Sequence, residues 1–427
     1  MSRGILAAAA ACAVLAAPAT IGSAVAFADD GGDGDDPTIS ASSEVTRRGG
    51  GAPVLLARAL YPALKLQPGP ASGTVGVAPA NGVTPPFAGQ PIPGISGALS
   101  DGRGGFWGQP DNGFGSKGNS ADFLLRMYHF TPRWRSLFGG RGELGVDRFI
   151  SYRDPDRKIP FAIVNESTPD RLLTGADFDI ESVQRGTDGT LWIGEEFGPF
   201  LLHTDATGKV LDAPVPLPGV KSPQSPYLAA GETPNLPGSR GFEAMARSAD
   251  GRTLYPTLEA AVTDDPDPTL RRVYEFDVAS NAYTGRRWTF HADAPGLQIG
   301  DAQVLRGHRL VFIERDDLEG TAAQVKKLQS IDLDAVPAAD ATLPKTQLVD
   351  FLHLRDPLRI SVATGPQGGV GIGDPFSFPI QSFETVVLLG ADRILIANDN
   401  NLPDSDGRVP GKPDDLEAEV LWVPGLN

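Results

Sequence analysis

Asp179-Ile180-Glu181-Ser182-Val183-Gln184-Arg185-Gly186-Thr187-Asp188-Gly189-Thr190-Leu191-Trp192-Ile193-Gly194-Glu195 carries the clearest architectural signal in the chain. Two short apolar segments flank an Asp-Gly pair, where a tight turn needs positive φ to match the twist of the strands it joins. It reads as a β-hairpin. The chain continues through Leu201-Leu202-His203-Thr204, a further turn at Ala206-Thr207-Gly208-Lys209 and then Val210-Leu211. Four short strands in a row make one blade of a radial β architecture.

The same unit recurs on both sides. Ile95-Ser96-Gly97-Ala98-Leu99 is followed by Gly105-Phe106-Trp107, Phe242-Glu243-Ala244-Met245 by Thr253-Leu254-Tyr255, Asp301-Ala302-Gln303-Val304-Leu305 by Leu310-Val311-Phe312-Ile313, and Phe383-Glu384-Thr385-Val386-Val387 by Ile394-Leu395-Ile396-Ala397. The third copy goes on with Val273 to Phe276 and Trp288 to Phe290. Residues 96, 181, 243, 301 and 384 are spaced by 85, 62, 58 and 83. A blade takes about 40 to 50 residues, so each long gap has room for a degraded blade or an insertion. The reading is all-β: a β-propeller of four-stranded antiparallel blades, six or seven favoured and five to seven allowed. The last copy stops after Glu419-Val420-Leu421-Trp422-Val423. Val54 to Leu60 is the candidate to supply its outer strand and close the ring, removing an exposed edge. A two-sheet sandwich is the architectural alternative.

Each copy carries an acid or an amide at corresponding places. Folding each hairpin about its turn sets Glu384 opposite Asp399, Asp301 opposite Glu314, Glu181 beside Glu195, Glu243 beside Glu259 and Ser96 near Asp111 and Asn112. First strands line the channel of a propeller, so these acids converge on one mouth of the ring. Like charges opposed across strands repel, and crowding raises their pKa values or demands a cation. Oxygen ligands with amides from Asn112, Asn398 and Asn400 suit Ca²⁺ or Mg²⁺. Zinc prefers His and Cys, and the chain has five His and one Cys. The expected metal ligands are Glu181, Glu195, Glu243, Asp301, Glu314, Glu384 and Asp399. Glu181, Glu243 and Glu384 are the expected catalytic acids or bases, and Arg240 and Arg315, each near a repeated acid, are the expected holders of an anionic substrate. Against this stands a structural use: backbone N–H groups of the neighbouring blade can satisfy such acids, and the arginines can simply pair with them. His203 and His353 are expected to pack.

Composition removes other classes. The 427 residues include 53 acidic and 37 basic side chains, a formal charge of −16, with no Lys/Arg block to follow a phosphate backbone, so nucleic acid is not an expected partner. No Gly-x-Ser-x-Gly elbow, His-Glu-x-x-His or Walker A loop occurs. Residues 1–28 combine Arg3, an apolar run from Ile5 to Ala17 and Ala26-Phe27-Ala28, the pattern of a secretory signal peptide. Its apolar run is short of the roughly 20 residues that span a bilayer, so membrane insertion is not expected. Cys12 lies within it. Residues 29–52 begin Asp29-Asp30-Gly31-Gly32-Asp33-Gly34-Asp35-Asp36 and read as a disordered tail. Residues 53–427 are expected to form a single extracellular propeller domain, acting as a monomer.

Asp179 to Pro199, Gly241-Phe242-Glu243-Ala244-Met245, and Phe383-Glu384-Thr385 with Ile396-Ala397-Asn398-Asp399-Asn400 together resemble the phytase-like family described as having esterase-like activity. The resemblance runs from about Gly94 to the C-terminus. It implies a β-propeller and a link to phosphoester or carboxylic ester hydrolysis. A small anionic or ester substrate is therefore the expected partner, with a non-catalytic extracellular binding propeller or a metal-dependent lactonase as alternatives.

Overall fold

The computed structural model describes residues 51–336 and 342–426. The expected signal peptide, and the expected tail up to residue 50, lie outside the described residues. The chain enters with β1 (Val54–Tyr61) and then builds β2 (Gly97–Ser100), β3 (Phe106–Gln109) and β4 (Arg126–Arg133). A short β5 (Arg135–Ser136) pairs with β1, and β6 (Glu143–Ser151) completes the order β2-β3-β4-β6. The second unit is β7 (Ile180–Arg185), β8 (Leu191–Glu195), β9 (Phe200–Thr204) and β10 (Val215–Pro216). Its fourth strand lies beyond the expected Val210-Leu211; Val210 instead bridges to Thr204. The third is β11 (Ala244–Arg247), β12 (Thr253–Thr257), β13 (Leu270–Asp277) and β14 (Ala282–His291). The fourth is β15 (Gln298–Arg306), β16 (Arg309–Arg315), β17 (Lys326–Asp332) and, after β18 (Thr342–Leu343) has added itself to β14, β19 (Thr346–Asp350). Beyond α1 (Ile360–Thr364), β20 (Ser382–Leu388), β21 (Arg393–Asp399) and β22 (Leu416–Trp422) receive β1 as their fourth strand.

First strands neighbour one another in the cyclic order β2, β7, β11, β15, β20 and back to β2. The molecule is an all-β propeller. Its ring closes as the sequence suggests, with β1 antiparallel to β22 from Val54 opposite Trp422 to Tyr61 opposite Leu416. A single parallel bridge, Leu60 to Glu143, links the closing unit to the first, so the two form one nine-stranded sheet. The long gaps hold no additional four-stranded sheet among the described residues, and the extra blades favoured from spacing are not seen there. The first gap is filled by β4, β6 and loops tied together by buried Asp154, which accepts from Arg171 at 3.0 Å and from the Lys158 N–H at 2.7 Å. The second is filled by β17, β18, β19 and α1.

Cores lie between adjacent sheets. Val311, Ile313 and Leu328 of the fourth meet Phe383, Val386, Ile394 and Ile396 of the last, all fully buried. Each such side chain contributes about 1.5–3 kcal/mol of burial. The first strands approach too closely for side chains at some points: a Cβ on Gly300 would lie 2.7 Å from the Phe383 carbonyl oxygen.

Candidate functional site

Irregularities in the first strands present the acids to the channel mouth. In β7, Ile180 pairs with Glu195 and Ser182 with Gly194, so Glu181 is an extra, unpaired residue. In β20, Phe383 pairs with Asn398 and Thr385 with Ala397, which leaves Glu384 in the same state. A bulge of this kind re-aims a side chain that regular alternation would place elsewhere. The following hydroxyl anchors each bulge to the next unit: Ser182 Oγ donates to the Phe242 carbonyl at 2.9 Å and Thr385 Oγ1 to the Ile95 carbonyl at 2.7 Å. In the fourth unit the corresponding place falls at Gly300-Asp301. The glycine has no carboxylate to offer, and Arg315 from the end of β16 reaches across that sector to Glu384.

The mouth is a cavity of about 190 Å³ lined by nine carboxylates (Asp111, Asp179, Glu181, Glu196, Glu243, Glu259, Asp317, Glu384 and Asp399) against two arginines, Arg240 and Arg315. Carboxylate oxygens of Asp111, Asp179 and Glu181 lie within 4.8 Å of one another, as do those of Glu181, Glu243 and Glu384, and those of Glu196, Glu243 and Glu259. Arg315 donates to Glu384 and to Asp317, both at 2.7 Å, and stands 3.4 Å from Glu259. Arg240 donates to Glu259 at 2.8 Å. The arginines thus serve one side. On the other, Asn112 and Ser239 donate to Asp179 at 2.6 and 2.9 Å.

Burial, then the charges of Glu243, Asp179, Glu196 and Glu384, hold Glu181 well above the usual carboxylate range. Burial with Glu384 and Glu259 does the same to Glu243, and burial with Glu259 and Asp179 to Glu196. Asp111 and Asp399 are raised by burial and by neighbouring acids, including Asp179 for the first and Asp111 for the second. Burial lifts Glu259 but Arg240 and Arg315 restrain it to about 7. Burial works to lower Arg315, yet Glu384, Glu259 and Glu243 outweigh it and hold the guanidinium above its ordinary value. Glu181 Oε2, Glu196 Oε1 and Glu243 Oε1 are buried without a hydrogen-bond partner. A crowded, buried set of carboxylate oxygens, three of them without a hydrogen-bond donor, fits a hard divalent cation.

Of the expected site residues, Glu181, Glu243, Glu384, Asp399, Arg240 and Arg315 share this cavity. Three do not. Glu195 turns into its own loop and accepts from the Phe197 and Gly198 N–H groups at 2.9 and 2.7 Å. Asp301 accepts from the Val386 N–H at 3.1 Å and ties β15 to β20. Glu314 sits opposite Ile299, accepts from Gln329 at 3.0 Å and pairs with Lys345 at 2.5 Å. The register irregularity between Ile299 and Ala302 separates Asp301 from Glu314. Asn398 and Asn400 do not line the cavity: their NH2 groups donate to the Asp415 and Asp414 carbonyls, and Asn398 Oδ1 accepts from the Glu417 N–H. His203 stacks on Trp192 at 4.1 Å, whereas His353 is exposed beside Asp350. Asp179, Glu196 and Ser239 join the cavity without having been singled out. The adjacent pair Glu195-Glu196 was the available signal for one of them, because Glu196 opens the turn beyond β8 and need not face the way Glu195 does.

Among solved structures the chain is similar to a GH43 β-1,3-galactosidase (11% identity, TM-score 0.37, 78% of this chain and 57% of that one). It is also similar to the PQQ-bound aldose sugar dehydrogenase of Streptomyces coelicolor (13% identity, TM-score 0.32, 86% and 100%). It is 28% identical over 182 residues to an uncharacterized secreted protein of Arthroderma benhamiae, across 34% of this chain and 36% of the relative's length. Among the described residues no helix is long and apolar enough to cross a membrane. The model of the phytase-like family, described as esterase-like activity of phytase, matches residues 90–402, and the chain belongs to that family.

Proposed function

We propose that this chain is a secreted five-bladed propeller that hydrolyses phosphoesters or carboxylic esters at the acidic channel mouth with the help of Ca²⁺ or Mg²⁺. The observation that carries the reading is the set of buried oxygens without a hydrogen-bond partner on Glu181, Glu196 and Glu243 within groups of three carboxylates, one of them, Glu243 Oε1, 4.0 Å from Arg315. The Asp111, Asp179 and Glu181 group and the Glu181, Glu243 and Glu384 group would hold the cation. When bound, it supplies positive charge beside the scissile ester. Arg240, with its partly exposed guanidinium, meets the anionic end of the substrate, and Arg315 braces Glu384 and Glu259 from beneath. Glu259, titrating near neutrality, is placed to take a proton from attacking water or return it to the leaving oxygen. Secretion is supported by the residue pattern of the leader and by the similar secreted protein.

The test is turnover of p-nitrophenyl phosphate and p-nitrophenyl acetate by the mature chain, before and after chelation and after return of calcium, with calcium binding followed separately by calorimetry. Turnover lost on chelation and restored by the cation is expected. Turnover indifferent to the chelator would remove the cation from the reaction. Saturable calcium binding with no turnover on either ester would leave a binding propeller.

A further inference from the structure

Away from the mouth, at the other end of β2, lies a groove of about 550 Å³ lined by Arg103, Arg133 and Arg141 and by one acid, Asp101, with Trp134 and Gly140 at the hairpin side. Beside it the chain makes a narrow hairpin whose two tip residues, Leu137 and Phe138, are 44% and 64% exposed. The tip is a built feature. Ser136 and Gly139 exchange backbone hydrogen bonds at 2.8 and 3.0 Å, Trp134 is buried at its base, and β5 fastens its entry to β1. Gly140 has φ of 100°, and a Cβ there would lie 1.8 Å from the Trp134 carbonyl oxygen, so the backbone can turn here only without a side chain.

Four arginines stand on the groove and at the base of the tip: Arg103, Arg133 and Arg141 line the groove, and Arg135 reaches the Gly140 carbonyl at 3.4 Å. The acids nearby are Glu143, 4.0 Å from Arg141, and Asp101, which accepts from the Arg103 and Gly105 N–H groups at 2.7 and 2.9 Å. Among the described residues Arg103, Arg133 and Arg135 have no carboxylate within 4 Å. On a chain of net charge −16 such a patch is anomalous. We propose that this hairpin docks the protein on an anionic lipid surface, with Leu137 and Phe138 entering the headgroup layer and the arginines meeting lipid phosphates. A soluble polyanion would satisfy the arginines but gain nothing from the exposed Phe. A second copy would need about 800 Å² per partner, far more than two side chains supply. Repulsion of the acidic remainder by the membrane selects this face, and the mouth stays open to solvent.

The experiment is co-sedimentation of the mature chain with phosphatidylcholine vesicles, with and without phosphatidylglycerol, at low and high salt. Leu137→Ser/Phe138→Ser and Arg133→Gln/Arg141→Gln variants are run alongside, with their unfolding midpoints recorded. Binding only to phosphatidylglycerol vesicles is expected, weakened by salt, lost in the tip variant and roughly thirtyfold weaker in the arginine variant, at unchanged midpoints. No binding to either vesicle, equal binding to both, or binding unmoved by the variants would overturn the proposal. So would a dimer in sedimentation velocity that Phe138→Ser dissociates, which would assign the tip to a second copy.

Discussion

Glu181 belongs to two of the three carboxylate groups at the mouth, and one of its oxygens is buried without a partner. Replacing it by Gln keeps the shape and removes a charge that its neighbours already oppose. Glu181→Gln is therefore expected to weaken calcium binding by about tenfold or more, since affinity follows ligand charge count, while the calcium-free protein keeps or gains thermal stability. Calorimetry and a melting curve in chelator check both halves. The carboxyls also set a pH dependence. A group whose pKa is raised on folding favours the folded state fully below the ordinary carboxylate range of about 4, and that contribution disappears as pH climbs through its folded value. Burial raises Glu259 to about 7, and Glu195 and Asp301 each to about 8. The chelated protein should accordingly lose stability from about pH 5 to pH 8, with calcium reversing the loss at the alkaline end; a flat or rising profile in chelator would contradict the account. At this scale sequence reading located the acids but not their directions. Glu195 was taken for a ligand and Glu196 passed over: the extra residue at Glu181 sets Ile180 opposite Glu195, whose carboxylate folds onto the Phe197 and Gly198 N–H groups, while Glu196 lies in the turn beyond β8.

Hairpins were the most legible elements. Their apolar runs name all five first strands, with Asp-Gly turns marking three of them, and Val54 to Leu60 was recognisable as the closing strand because β22 would otherwise end as an open edge. What could not be read was the ion network beneath that closure. Arg58 is fully buried, 2.6 Å from Glu417 and 3.0 Å from Glu419, and Arg408 meets Glu417 at 2.7 Å. Burial works against ionisation of Glu417, but Arg408 and Arg58 draw it down to about 2, whereas burial and the charge of Glu417 push Glu419 well up. Arg58→Met removes one cation and strands buried acids, a loss of about 3–5 kcal/mol, measurable as a lower denaturant midpoint. The bulge anchors are smaller. Thr385→Val deletes the bond to the Ile95 carbonyl and should cost about 1 kcal/mol, with calcium affinity falling as Glu384 loses its fixed aim.

Across the whole molecule, charge is distributed with the architecture: acids gather where first strands begin, and an arginine-rich apolar tip stands at the other end. The radial plan was legible because the unit repeats, whereas the number of units was not, since insertions and degraded blades lengthen a gap alike. Long-range placement of Arg315 beside Glu384, 69 residues on, depends on neighbouring units of the ring and leaves no local mark. The central claim is that ring closure assembles a divalent-cation site from acids far apart in sequence. The decisive experiment titrates calcium calorimetrically into the chelator-treated mature chain and into Glu181→Gln and Glu384→Gln. Saturable binding by the native chain, with a raised melting temperature, and markedly weaker binding by both variants are expected; no heat of binding in the native chain, or equal affinity in all three, would rule out a cation site at the mouth.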